Sequence, residues 1–102
     1  MLGVLKKLLG VEDLTPVYAR GPRIIDVRSA AEFAQGHVPG AENIPLDRIS
    51  SAAKTLKTEK RPIVLCCASG NRSGQATRLL RDQGLSDVHN GGSWMSVRRQ
   101  VG

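Results

Sequence analysis

The sequence predicts an α/β fold of three layers, a mostly parallel sheet of four to five strands covered by helices on both faces. Three observations predict it. Short β-branched or apolar runs alternate with segments of helical periodicity along most of the chain. One run, "PIVLC" at 62–66, is continuously apolar, as a strand buried on both faces must be. The segments between runs are long enough to hold helices, which is what right-handed crossovers between parallel strands require.

The elements follow in order. Leu2, Leu5, Leu8 and Leu9 have helical spacing, so residues 1–12 read as an amphipathic helical extension packed on a domain spanning 13–102. A helix lying on a membrane surface is the alternative for this segment. Lys6 and Lys7 interrupt its apolar run, which argues against a signal peptide, and the run is too short to span a bilayer. Thr15-Pro16 reads as a helix cap and first helical position, giving one turn before Gly21-Pro22. "RIIDV", 23–27, is a strand. "SAAEFAQG" then reads as a helix capped by Ser29 and ended by Gly36. "AENIP", 41–45, is a second strand stopped by Pro45, and Leu46, Ile49, Ala53 and Leu56 form a helical stripe after it. Beyond the 62–66 strand comes a helix over 73–83, with Ala76, Leu79 and Leu80 inward, Arg78, Arg81 and Asp82 outward, and Gly84 as its stop. "SDVHN", 86–90, is a last strand followed by Gly91-Gly92, and Ser93 caps a closing helix through Trp94 and Val97.

Composition bounds the function. The chain has 102 residues, 40% hydrophobic and 24% charged, so one modest core is all it can build. Its formal charge is +6, but the basic residues are scattered and no aromatic side chains interleave with them. That pattern argues against a nucleic-acid surface and for attraction of small anions. Cys66 and Cys67 are the only cysteines, too few for a disulfide framework. A trans peptide holds adjacent Cα atoms about 3.8 Å apart, below the usual disulfide range of about 4.4–6.8 Å. With His37 and His89 they show no zinc-ligand spacing, so two free thiols in a reducing, cytoplasmic setting are expected.

The chemistry concentrates in "VLCCASGNRSG", 64–74. A strand, a short loop of small residues and a helix point backbone N–H groups and a helix N-terminus at one spot. The amides of Ala68, Ser69, Gly70, Asn71 and Arg72 are candidate donors, Arg72 adds a forked cation, and the Ser73 hydroxyl is a further donor. A cysteine starting this loop has its thiolate stabilised and becomes a nucleophile toward an anionic substrate. Successive strand side chains face opposite ways, so one cysteine packs in the core and the other serves the loop. Counted from Cys66 the loop is Cys-x5-Arg-Ser, the signature of Cys-dependent phosphatases. Counted from Cys67 it is Cys-x4-Arg, a tighter cradle.

The flanking sequence bears on the choice. "IIDVRSAAEFAQGHVPGAENIP", 24–45, closely resembles the front half of a rhodanese domain, through Asp26-Val-Arg28, Glu32-Phe33, Gly36-His37, Pro39-Gly40-Ala41 and Asn43-Ile44-Pro45. "VLCCASGNRSGQA", 64–76, is similar to that family's active-site strand, loop and helix, and "VHNGGSWMSV", 88–97, to its closing segment. The resemblance covers about residues 14–100, and the short single-domain form with "SGQA" after the loop is similar to the phage shock protein E type. It implies the rhodanese-like three-layer fold and a thiosulfate sulfurtransferase with Cys67 as nucleophile. By that resemblance residues 68–73 bind the substrate, with no cofactor or metal. The implied partners are a small anionic donor such as thiosulfate and an acceptor that is cyanide, a thiol or a protein, with the protein acting as a monomer.

Asp26 and Arg28, beside the predicted site, read as a hydrogen-bonding and ion-pairing support, with Arg28 placed to meet Glu32. His37 reads as a helix-end hydrogen-bonding residue. Trp94 either walls the pocket or packs in the core. Two other functions stand beside sulfur transfer: a phosphatase or arsenate reductase using Cys66, and a non-catalytic sulfur carrier or binding module. Leu65 stands where the phosphatase motif usually has a histidine, which weighs against the first.

Overall fold

The structure, a computed structural model, describes residues 12–102. The helical extension expected over 1–12 lies outside the described residues except for Glu12. Among the described residues four parallel strands, β1 (Arg23–Asp26), β2 (Glu42–Asn43), β3 (Ile63–Cys67) and β4 (Val88–Ser93), form one sheet in the order β2-β1-β3-β4. Five helices accompany them: α1 (Thr15–Ala19), α2 (Ala30–Gln35), α3 (Leu46–Leu56), α4 (Asn71–Asp82) and α5 (Trp94–Val101).

The continuous apolar run becomes the central strand. All five residues of β3 are buried, and it pairs on both sides, with β1 and β4. Its two-residue period divides the core into two clusters. Ile63, Leu65 and Cys67 join Ile49, Ala53 and Leu56 of α3 and Ala76 and Leu80 of α4 on one face. Val64 and Cys66 join Val17 of α1, Val38 and Val97 of α5 on the other. The sheet therefore carries helices on both faces, as expected.

Several boundaries differ from the sequence reading, each for a local reason. Leu14, not Thr15, is the cap residue of α1. The Asp13 carboxylate accepts the Thr15 amide at 3.1 Å and its hydroxyl at 2.8 Å. β2 shrinks to two residues because Pro45 has no N–H and instead begins the approach to α3. β3 starts and ends one residue later than expected. Pro62 offers only its carbonyl, which accepts the Arg23 N–H at 2.8 Å, while Cys67 still pairs with Ser93. α4 begins at Asn71 and buries Ser73, Ala76, Thr77 and Leu80, the 3.6-residue stripe. Leu79, expected inward, lies beside that stripe and is 39% exposed.

β4 differs most. It runs through the glycine pair to Ser93, with a bulge: Leu65 opposes Asn90 but Cys66 opposes Gly92, which leaves Gly91 as the extra residue. A Cβ on Gly91 would meet Val64 Cγ1 at 2.6 Å and Val97 Cγ2 at 2.7 Å, so the bulge needs a residue without a side chain. Ser93 then caps α5 as expected, accepting the Ser96 N–H at 3.1 Å.

Candidate active site

The chain leaves β1 toward β2 on one side and leaves β3 toward β4 on the other. A crevice at the carboxyl ends of β1 and β3 is the natural binding place in such a sheet. The 67–73 loop emerges there.

Gly70 makes the loop possible. It caps α4 in the left-handed region at φ +99, and a Cβ there would come within 3.2 Å of Gly92 Cα. The turn folds the loop over the Cys67 sulfur. Sγ lies 3.0 Å from the Gly70 nitrogen, 3.4 Å from the Ser73 nitrogen and 3.3 Å from Ser73 Oγ. Burial works to raise this thiol. The Ser73 hydroxyl, followed by the Ser73, Gly70 and Ser69 amides, outweighs that effect and holds Cys67 below the ordinary thiol value.

Cys66 is its opposite. Its side chain leaves β3 on the other face, among Val64, Val97, Tyr18 and Trp94. Burial first, then the negative charge of Asp26, pushes its thiol up to about 12, with Arg28 offsetting only part. The two cysteines are thus equally closed to solvent but chemically unlike: one sulfur faces several hydrogen-bond donors, the other an apolar cluster.

Of the other residues expected to bind substrate, Ser69 contributes its amide, and its hydroxyl accepts the Asn71 N–H at 3.4 Å. Ala68 and Asn71 are exposed on the loop. Arg72 does not point at the sulfur. Its guanidinium forms a forked pair with Glu32, at 2.7 and 3.0 Å, and ties the loop to α2. Glu32 is also engaged by the Ser29 cap, and the Arg72 contact first, then Ser29, lowers its carboxyl to about 2.

Arg28 therefore meets a different partner from the one expected. It grips buried Asp26 with Nε at 3.0 Å and Nη2 at 2.8 Å, and Nη2 also donates to the Gly36 carbonyl. Asp26 wins because it is two residues away on the same strand end, while Glu32 is already occupied by Arg72. The Arg28 guanidinium sits 4.8 Å from the centroid of the Trp94 ring, which packs half-buried beside Cys66 and over Gly36. Asn43 donates to the carbonyls of Asp26 and Arg28 at 3.0 and 2.9 Å, which completes a rigid floor under the site. His37 stacks on Phe33 and bonds its carbonyl at 2.7 Å, a helix-end role.

One site residue escaped the sequence reading. Asn90 of β4 spans the loop: its Nδ2 donates to the Gly70 carbonyl at 3.1 Å, and its Oδ1 accepts the Ser73 hydroxyl at 2.7 Å and the Gly92 N–H at 3.0 Å. The Asn-Gly-Gly triplet was its only signal, and it reads as a turn unless the bulge is known. A groove of about 600 Å³ runs past Ser69 and Gly70 between Asn90–Gly92 and residues of α1 and α5. A larger one, about 730 Å³, opens around Arg23 and Arg61 at the amino end of β1, away from the sulfur. Among the described residues no group of three His, Cys, Asp or Glu comes together as a metal-ligand set. No helix among them is long and apolar enough to cross a membrane.

Fold and loop together define a class: a parallel α/β domain that sets one cysteine sulfur against backbone and hydroxyl donors at the carboxyl end of its central strand. The rhodanese-like domain description matches residues 4–97, and the chain belongs to that family. It is 38% identical over 84 residues to the Bacillus subtilis protein YqhL, covering 82% of this chain but only 65% of that protein. It is also 38% identical over 83 residues to the Escherichia coli thiosulfate sulfurtransferase PspE, covering 80% of this chain and 79% of the relative. Among solved structures, an Escherichia coli rhodanese with anions superposes with a TM-score of 0.68 at 34% identity, over 74% of this chain and 91% of that one. The relatives support sulfurtransferase chemistry in general.

Proposed function

We propose that the protein moves sulfane sulfur from thiosulfate, or from a persulfide, to a thiophilic acceptor through a persulfide on Cys67. The observation that carries this reading is the set of donors on one sulfur, from Gly70, Ser69 and Ser73, while Cys66 faces the core. The Cys67 thiolate attacks the outer sulfur of thiosulfate, forming a new S–S bond. The bond to the sulfite sulfur breaks and its electron pair leaves with sulfite, a stable anion that needs no general acid. The amides around Sγ then hold the negative terminal sulfur of the Cys67 persulfide. Attack by cyanide or a thiolate on that terminal sulfur releases the Cys67 thiolate again.

Arg72 acts in this reading by fixing the loop through Glu32, and Asp26, Arg28 and Trp94 by stiffening the β1 end beneath it. The net positive charge draws anionic donors, so the rate falls with added salt. Two free thiols suit a reducing, cytoplasmic compartment. The longer count from Cys66 lacks support because no donor among the described residues bonds that sulfur, and burial pushes its thiol up.

The test is thiocyanate formation from thiosulfate and cyanide. Wild type and Cys66→Ser should turn over, and Cys67→Ser should be inactive. Turnover that survives in Cys67→Ser but fails in Cys66→Ser would reverse the assignment. Hydrolysis of an aryl phosphate without thiocyanate formation would favour the phosphatase.

A further inference from the structure

The Ser73 hydroxyl has one proton and two acceptors within reach: Asn90 Oδ1 at 2.7 Å and Cys67 Sγ at 3.3 Å. The orientation of the Asn90 amide is not ambiguous. Reversing it would set an NH2 against the Gly92 N–H and a carbonyl against the Gly70 carbonyl, both repulsive. Oδ1 therefore faces Ser73. While Cys67 is a thiol, Ser73 donates to Asn90 and the S–H can donate to the Ser73 oxygen. Once the thiol proton has passed to solvent, the sulfur is an acceptor only. The Ser73 hydroxyl can then turn to it and make a charge-assisted hydrogen bond. Asn90 Oδ1 is not stranded by that turn, because the Gly92 N–H still bonds to it.

From this we infer that Asn90 is a positioning residue that acts through Ser73: it holds the hydroxyl proton while the sulfur is neutral and releases it when the sulfur becomes charged. Its second contact, to the Gly70 carbonyl, anchors the residue whose own N–H, in the preceding peptide, is the nearest donor to Sγ. One side chain from β4 thus holds two residues that donate to Cys67, and its register opposite Leu65 sets it on the sheet face that packs on α4. The consequence for catalysis rests on the sulfur-transfer reading of Cys67; the effect on the thiol itself does not.

The experiment is the pH dependence of iodoacetamide modification, mapped to the Cys67 peptide, in wild type, Asn90→Asp and Asn90→Ala. The same three are made in a Ser73→Ala background, and thermal unfolding shows which variants are folded. Both Asn90 changes remove the donor to Gly70, and aspartate also adds a negative charge that raises the midpoint by itself, so the Ser73→Ala background measures the part of the gap between them that owes nothing to the hydroxyl. Proton allocation supplies the rest. Aspartate is a stronger acceptor that keeps the Ser73 proton, and alanine leaves that proton to the sulfur. The Asn90→Asp midpoint is expected above the Asn90→Ala midpoint by about one pH unit, about tenfold in neutral-pH reactivity. Removing Ser73 should narrow that gap by at least half. Coincident midpoints in the two variants, or a gap unchanged by Ser73→Ala, would overturn the inference. A parallel incubation with thiosulfate keeps the two claims apart, because a wild type that takes no sulfur refutes the transfer reading and leaves the alkylation result intact.

Discussion

Gly91→Ala tests the bulge on which the site is built. The new methyl would lie 2.6 Å from Val64 Cγ1, 2.7 Å from Val97 Cγ2 and 3.3 Å from the Leu65 carbonyl. Val64 and Val97 are both fully buried, one on the central strand and one on α5, so neither can swing into solvent. Relief requires moving α5 away from the sheet or straightening β4. Overpacking of this kind costs about 2 kcal/mol. For a domain of this size that lowers the melting temperature by roughly 10 °C. Gly92→Ala is the matched control. Gly92 has φ +85 but open space around its Cβ position, so the cost is backbone strain alone, about 1 kcal/mol. Thermal unfolding followed by circular dichroism ranks the two. The reasoning holds if Gly91→Ala loses about twice as much as Gly92→Ala and fails if Gly92→Ala is the more damaging.

Other expectations follow from the same geometry. Ser73→Ala removes a hydroxyl from the Cys67 sulfur, a bond to a charged group worth about 1.5–3 kcal/mol. The Cys67 alkylation midpoint should rise by about one to two pH units, and an unchanged midpoint would place the stabilisation in the amides alone. Glu32→Gln dissolves the fork to Arg72. The Glu32 carboxyl is lowered to about 2, so its contribution is present above the ordinary carboxylate value and is lost as pH falls toward 2. Wild type and Glu32→Gln should therefore differ in stability at neutral pH and converge in acid, and added salt should shrink the neutral-pH difference. A difference that persists at pH 2 would show that the ion pair is not its source. Cys66→Ala trims an apolar contact on the far face of the sheet, so it should lower the melting temperature while leaving the Cys67 alkylation midpoint in place.

What the sequence reveals here is what local rules control. A two-residue period separates Cys66 from Cys67, and the structure sends their side chains into different clusters. Ser29 with Glu32 is a capping box, and Ile49, Ala53 and Leu56 line the buried stripe of α3. The residues that sequence reading misplaces depend on pairings across long separations. Arg28 is assigned to Glu32 because they are close in sequence, whereas Arg72 reaches Glu32 from 40 residues away. Asn90 is invisible for the same reason. Its contact with Ser73 joins β4 to α4 across 17 residues, and nothing in "VHNGGS" announces that pairing. Leu79 misleads differently: it is apolar and adjacent to Leu80, but a helix turns it out of the stripe.

The central claim is that Cys67, and not its neighbour, carries sulfur. Intact mass after incubation with thiosulfate, followed by peptide mapping, tests it most directly. The account predicts one added sulfur in wild type and in Cys66→Ser, mapped to residue 67 and removed by cyanide, and no addition in Cys67→Ser. Sulfur retained by Cys67→Ser, or mapped to Cys66 in the wild type, would contradict it.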